Sequence, residues 1–95
     1  MNLYHKKNLY VNNLPSSYEE RNLNDLFASF GRIRSLTLRK KNRGGFLSGS
    51  NYSVYGFVCF YEELDAINAM KTLNGKVVNG KRIYVEYYKN QNEKN

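Results

Sequence analysis

Tyr10, Tyr55 and Phe57 are the residues whose type and spacing best suit recognition chemistry. They sit in two short aromatic runs, Leu9-Tyr10-Val11-Asn12-Asn13-Leu14 and Tyr55-Gly56-Phe57-Val58-Cys59-Phe60, each alternating as a β-strand with its aromatics on one face. Side by side, the strands would present an aromatic platform, and flat π-faces on a basic protein are what stacking of unpaired nucleic-acid bases requires. A lone tyrosine in a strand more often packs against its cross-strand neighbour. Three such rings on adjacent central strands, with no segment in the sequence suited to cover them, favour a ligand instead. Asn12 shares the Tyr10 face and carries both a donor and an acceptor. Thr37, Tyr84 and Glu86, outward on flanking strands, are further candidates for reading base edges.

The charge distribution supports a polyanionic partner. Fifteen Lys and Arg against eight Asp and Glu give a formal charge of +7. Glu19, Glu20, Asp25, Glu62, Glu63 and Asp65 fall in the two segments that read as helices, whereas Arg32, Arg34, Arg39, Lys40, Lys41 and Arg43 crowd one strand and the loop after it. Such runs are often plain solvated surface. Here the polarity implies a basic side suited to phosphates and an acidic side turned away.

Ninety-five residues with 41% hydrophobic content fit one domain, with an ordered core over about 7–89, and leave no room for a separate catalytic unit. Cys59 has no partner for a disulfide and reads as a small packing residue, because His5, the only histidine, lies in the polar N-terminal arm and a nucleophilic thiol needs a nearby base. No enzyme activity, cofactor or metal is expected. No run approaches the roughly 18 apolar residues that cross a bilayer, and the N-terminus has no secretory apolar region. The chain therefore reads as a soluble intracellular monomer, nuclear or cytoplasmic, without a membrane partner.

The elements that would position the aromatics follow from periodicity. Leu9 and Val11 face inward on the first strand, which ends at Leu14-Pro15-Ser16. Ser17 and Glu20 have capping-box spacing, and Leu23, Leu26, Phe27 and Phe30 recur on one helical face, so a helix is predicted over about Tyr18 to Ser29. Ile33, Leu36 and Leu38 are the imperfectly spaced inward residues of a second strand, with Thr37 and Arg39 on the other face. Residues 42 to 51 hold three glycines and no period, which predicts a long flexible loop. The third strand, Val54 to Tyr61, turns Gly56, Val58 and Phe60 inward. A second helix over about Glu62 to Leu73 repeats the pattern as Ala66, Ala69, Met70 and Leu73, with Asn74-Gly75 as its stop. Asn79-Gly80 predicts a hairpin into the last strand, where Ile83 and Val85 face inward and Tyr84, Glu86 and Tyr88 outward. The order βαββαβ predicts an α+β, ferredoxin-like sandwich, a four-stranded antiparallel sheet in spatial order 4-1-3-2 with both helices on one face.

With these elements in order, nearly the whole chain resembles the RNA recognition motif family. Leu9 to Leu14 is similar to that family's hexamer, and Ser53 to Phe60, SVYGFVCF, resembles its octamer, K/R-G-F/Y-G/A-F-V-x-F/Y. The resemblance implies that Tyr10 and Phe57 each stack a base of single-stranded RNA and that Tyr55 packs on sugars or bridges two nucleotides. The octamer departs from the pattern where Ser53 and Val54 replace the basic residue and Gly. In similar domains that first cation contacts a phosphate, so Arg39, Lys40, Lys41 and Arg43 are expected to substitute for it.

Two other readings fit the same element order. One is a protein-interaction module holding a peptide on the sheet or on the helical face, which could also take protein partners beside RNA. The other is a small phosphatase of acylphosphatase type. That chemistry needs an anion-cradling loop after the first strand with an adjacent Arg, where this chain has Asn13-Leu14-Pro15-Ser16.

Overall fold

Period-two alternation of apolar residues pairs with two helical stripes to build a sheet with both helices on one face. The computed structural model describes residues 6–42 and 52–88. Its elements are β1 (Asn8–Leu14), α1 (Glu20–Ala28), β2 (Ile33–Asn42), β3 (Tyr52–Phe60), α2 (Glu63–Leu73), β4 (Val77–Val78), β5 (Lys81–Arg82) and β6 (Tyr84–Tyr87). Four strands form one antiparallel sheet in the order β2-β3-β1-β6, the expected 4-1-3-2 arrangement with β6 as its fourth strand. β4 and β5 form a separate hairpin. Asn79 and Gly80 turn it with φ of 49° and 84°, both positive as a type I′ turn demands.

The core lies between the sheet and the helices. Leu9, Val11, Val54, Val58, Phe60, Ile83 and Val85 from the chain's extended segments close against Leu23 and Phe27 of α1 and Ala66, Ala69 and Leu73 of α2. Phe27 meets Phe60 ring to ring at 6.4 Å. Gly56 lets α1 approach: a Cβ there would lie 2.6 Å from Leu23 Cδ2 and 3.0 Å from the Thr37 carbonyl oxygen.

The start of α1 and the end of β2 differ from the sequence expectation. Tyr18 is buried, and its N–H donates to the Pro15 carbonyl at 3.0 Å. This turn absorbs Ser17, so α1 starts at Glu20 rather than Tyr18. The cap shifts to Glu19, whose N–H donates to Asn22 Oδ1 at 2.9 Å. β2 runs on to Asn42, paired with Tyr52, where a loop was expected to begin. The rest of that expected loop lies outside the described residues, as does Arg43.

Both long strands that depart from strict alternation do so through bulges. In β2 the pairing with β3 shifts between Ile33 and Ser35, which is why inward Ile33 and Leu36 stand three residues apart. In β1 it shifts between Val11 and Leu14, so Asn12 and Asn13 together oppose Tyr55 and Leu14 returns to the core. Asn13 takes φ 63°, left-handed backbone that Asn tolerates better than most residues. Its Nδ2 donates to the Arg82 carbonyl at 2.8 Å, and Arg82 Nη1 donates to the Gly75 carbonyl at 2.7 Å. The β1 bulge is thereby tied to the hairpin.

Two stability outcomes follow. Phe27→Ala should cost about 3–5 kcal/mol in denaturant unfolding, as a truncation at the centre of the core. Asn13→Val and Asn13→Gly both lose the bond to Arg82, but only valine meets the steric penalty of positive φ, so Val should be less stable than Gly by about 1–2 kcal/mol. Equal stabilities would show that Asn13 is not held in left-handed backbone.

Candidate nucleic-acid interface

Residues directly opposite in an antiparallel ladder project to the same face, so the register fixes what the side away from the helices presents. One row crosses the whole sheet: Thr37 opposite Phe57, Phe57 opposite Tyr10, Tyr10 opposite Glu86. Beside it, Arg39 stands opposite Tyr55 and Asn12 opposite Tyr84, and Lys41 faces Ser53 at the far end of the β2–β3 ladder. On the other flank Cys59 lies between Ser35 and Asn8.

The three expected rings are together. Tyr10 and Phe57 are 5.4 Å apart between centroids, tilted by 40°, and Tyr55 lies 6.0 Å from each. All three are half-buried because each covers part of its neighbours. A fourth ring joins them, since Tyr88 lies 4.7 Å from Phe57 while its N–H donates to the Asn8 carbonyl at 2.9 Å. Sequence alternation placed Tyr88 on this face but gave no sign of its contact with Phe57. Cys59 points to the same side, half-buried, with Sγ 3.7 Å from the Phe60 carbonyl oxygen.

The bases of the expected cluster do not act as one patch. Arg39 and Lys41 alternate onto the open face, both exposed. Lys40, opposite inward-facing Val54, projects to the other side, which removes it from the expected substitutes for the missing octamer cation. Arg32 is engaged elsewhere, its guanidinium carbon 4.4 Å above the Tyr61 ring. Lys41 and Ser53 border an open depression with Tyr10, Asn12 and Tyr55, so a cation lies directly across from the position where the octamer lacks one.

Polar groups on the β6 side can meet base edges. Tyr84 and Glu86 are exposed. The exposed Asn12 accepts the Asn13 N–H on Oδ1 at 2.9 Å. Away from this face, burial raises the Tyr18 hydroxyl pKa above its ordinary value, and the charge of Asp25 adds to the shift. That phenol remains neutral at physiological pH.

Comparison with known proteins agrees with this geometry. A Sex-lethal homologue from Chrysomya rufifacies is 41% identical over 80 residues, which are 84% of this chain and 24% of that protein; the chain thus spans about a quarter of the length of such relatives. The RRM3 domain of Mip6 superposes with a TM-score of 0.74 at 27% identity, covering 86% of this chain and 92% of that one. A Sex-lethal protein/RNA complex matches with a TM-score of 0.67 at 36% identity, over 86% of this chain and 46% of that one. The RNA recognition motif family itself matches over residues 9–84, and because that span runs from the hexamer on β1, through the octamer paired beside it on β3, to the start of β6, the chain belongs to the RNA recognition motif family.

Proposed function

We propose that this chain binds single-stranded RNA on the open face of its sheet, with Tyr10 and Phe57 each stacking a base and Tyr55 packing against sugars or bridging nucleotides. The observation that carries the reading is the continuous ring contact of Tyr10, Tyr55 and Phe57 on the face away from the core. Every base has a π-face, and stacking on an aromatic side chain contributes roughly 1–3 kcal/mol per base. Arg39 and Lys41 hold the backbone phosphates, Arg43 following them in the chain. Asn12, Thr37, Tyr84 and Glu86 contact base edges. That a Sex-lethal protein of the same fold has been captured with RNA supports RNA over a peptide as occupant.

Tyr10→Ala and Phe57→Ala should each weaken binding of a short single-stranded RNA by roughly 1–3 kcal/mol, with thermal unfolding still cooperative because neither side chain belongs to the core. A folded Phe57→Ala protein with undiminished RNA affinity would instead favour the peptide-binding alternative.

Salt dependence tests the electrostatic half. Each phosphate contact on a single strand contributes about −0.7 to the log-log salt slope, so Lys41→Ala should flatten the slope by about that amount. Lys40→Ala, on the other face, should leave it unchanged. An equal effect of the two substitutions would mean that only the summed charge matters and that no phosphate is held beside Ser53.

A further inference from the structure

The β6 side of Tyr10 presents a defined set of hydrogen-bonding groups. Glu86 stands directly opposite Tyr10 on the neighbouring strand. It is exposed, and its carboxylate has no hydrogen bond or ion pair among the described residues. A carboxylate accepts hydrogen bonds on two oxygens and donates none. Asn12, the next residue of β1 on the same face, is a diagonal neighbour of Glu86, at a separation that long side chains span.

The bulge orients the Asn12 amide. Its partner is the Asn13 backbone N–H, a donor, so the atom 2.9 Å away must be Oδ1. That leaves Nδ2, a donor, as the group available to a ligand. Side by side on the face, Asn12 and Glu86 therefore offer one donor and two acceptors.

Among the four RNA bases only guanine carries the complement along its pairing edge, one carbonyl acceptor (O6) followed by two adjacent donors (N1–H and the N2 amino group). Uracil places one donor between two acceptors, so its carbonyls would face the carboxylate. Cytosine and adenine each offer one donor next to an acceptor. We propose that the base stacked on Tyr10 is guanine, read by Glu86 through N1–H and the N2 amino group and by Asn12 Nδ2 through O6. This inference rests on the stacking role proposed above for Tyr10. In the phosphate and stacking roles proposed above, Lys41, Arg39 and the rings do not distinguish bases, so the preference at the base on Tyr10 should reside in Asn12 and Glu86.

The test uses oligouridine hexamers carrying a single G, A, C or inosine, measured by fluorescence anisotropy with the whole chain. A bidentate pair discriminates enough that the G hexamer should bind about tenfold or more tighter than the A, C or all-U hexamers. Inosine, which lacks the N2 amino group, should fall between. Glu86→Gln, an exposed substitution checked for folding by circular dichroism, should reduce the G-to-A affinity ratio to about twofold or less. Binding of all hexamers with equal affinity, lost in Phe57→Ala, would overturn the guanine inference while leaving the stacking reading intact. A wild-type preference for another base, or a G preference that survives in Glu86→Gln, would also overturn it. No binding to any hexamer would overturn both.

Discussion

Everything on the aromatic face depends on the pairing of β1 with β3, in which Tyr10 stands opposite Phe57 and Leu9 opposite Val58. Because side chains alternate from Leu9 to Val11 and from Val54 to Phe60, a single register there fixes two surfaces at once. Leu9, Val11, Val58 and Phe60 go to the core, and Tyr10, Tyr55 and Phe57 go to the other side. A slip of one residue would exchange the sets and expose the apolar one, so the hydrophobic effect that stabilises the core also aligns the rings. Gly56 belongs to the same arrangement. It sits between Tyr55 and Phe57 on the strand, and its missing side chain is where Leu23 of α1 closes down, so a close helix-to-sheet contact backs the platform.

Much of this was legible in the sequence because the governing periods are local. The apolar stripe from Leu23 to Phe30 defines a helix face, and the runs around Tyr10 and Phe57 define strand faces, without knowledge of what they touch. The order of elements then leaves few topologies, and the observed β2-β3-β1-β6 sheet is the one anticipated. Even the irregular spacing of Ile33 and Leu36 carried information, since an odd interval between two inward residues requires a bulge to restore phase.

What escaped was decided by tertiary contacts. Ser17 and Glu20 have the spacing of a helix cap, and so do Glu19 and Asn22; the buried Tyr18 and its turn to Pro15 chose the second pair. Arg32 and Lys40 read as members of a basic cluster until an aromatic ring claimed one and strand parity turned the other away. The contact between Tyr88 and Phe57 joins residues from distant parts of the chain, and no local pattern encodes it.

The open face also bears on solubility. Four contiguous, half-buried rings on the face away from the helices make a surface to which a second copy of the chain could adhere, as exposed apolar patches commonly do. With Arg39 and Lys41 beside the rings and a formal charge of +7 on the whole chain, two such faces approaching one another bring like charges together. The repulsion acts over about 10 Å at 0.1 M ionic strength and shortens as salt rises. The charge that suits a polyanion thus also opposes face-to-face approach of two copies, an opposition strongest in dilute buffer.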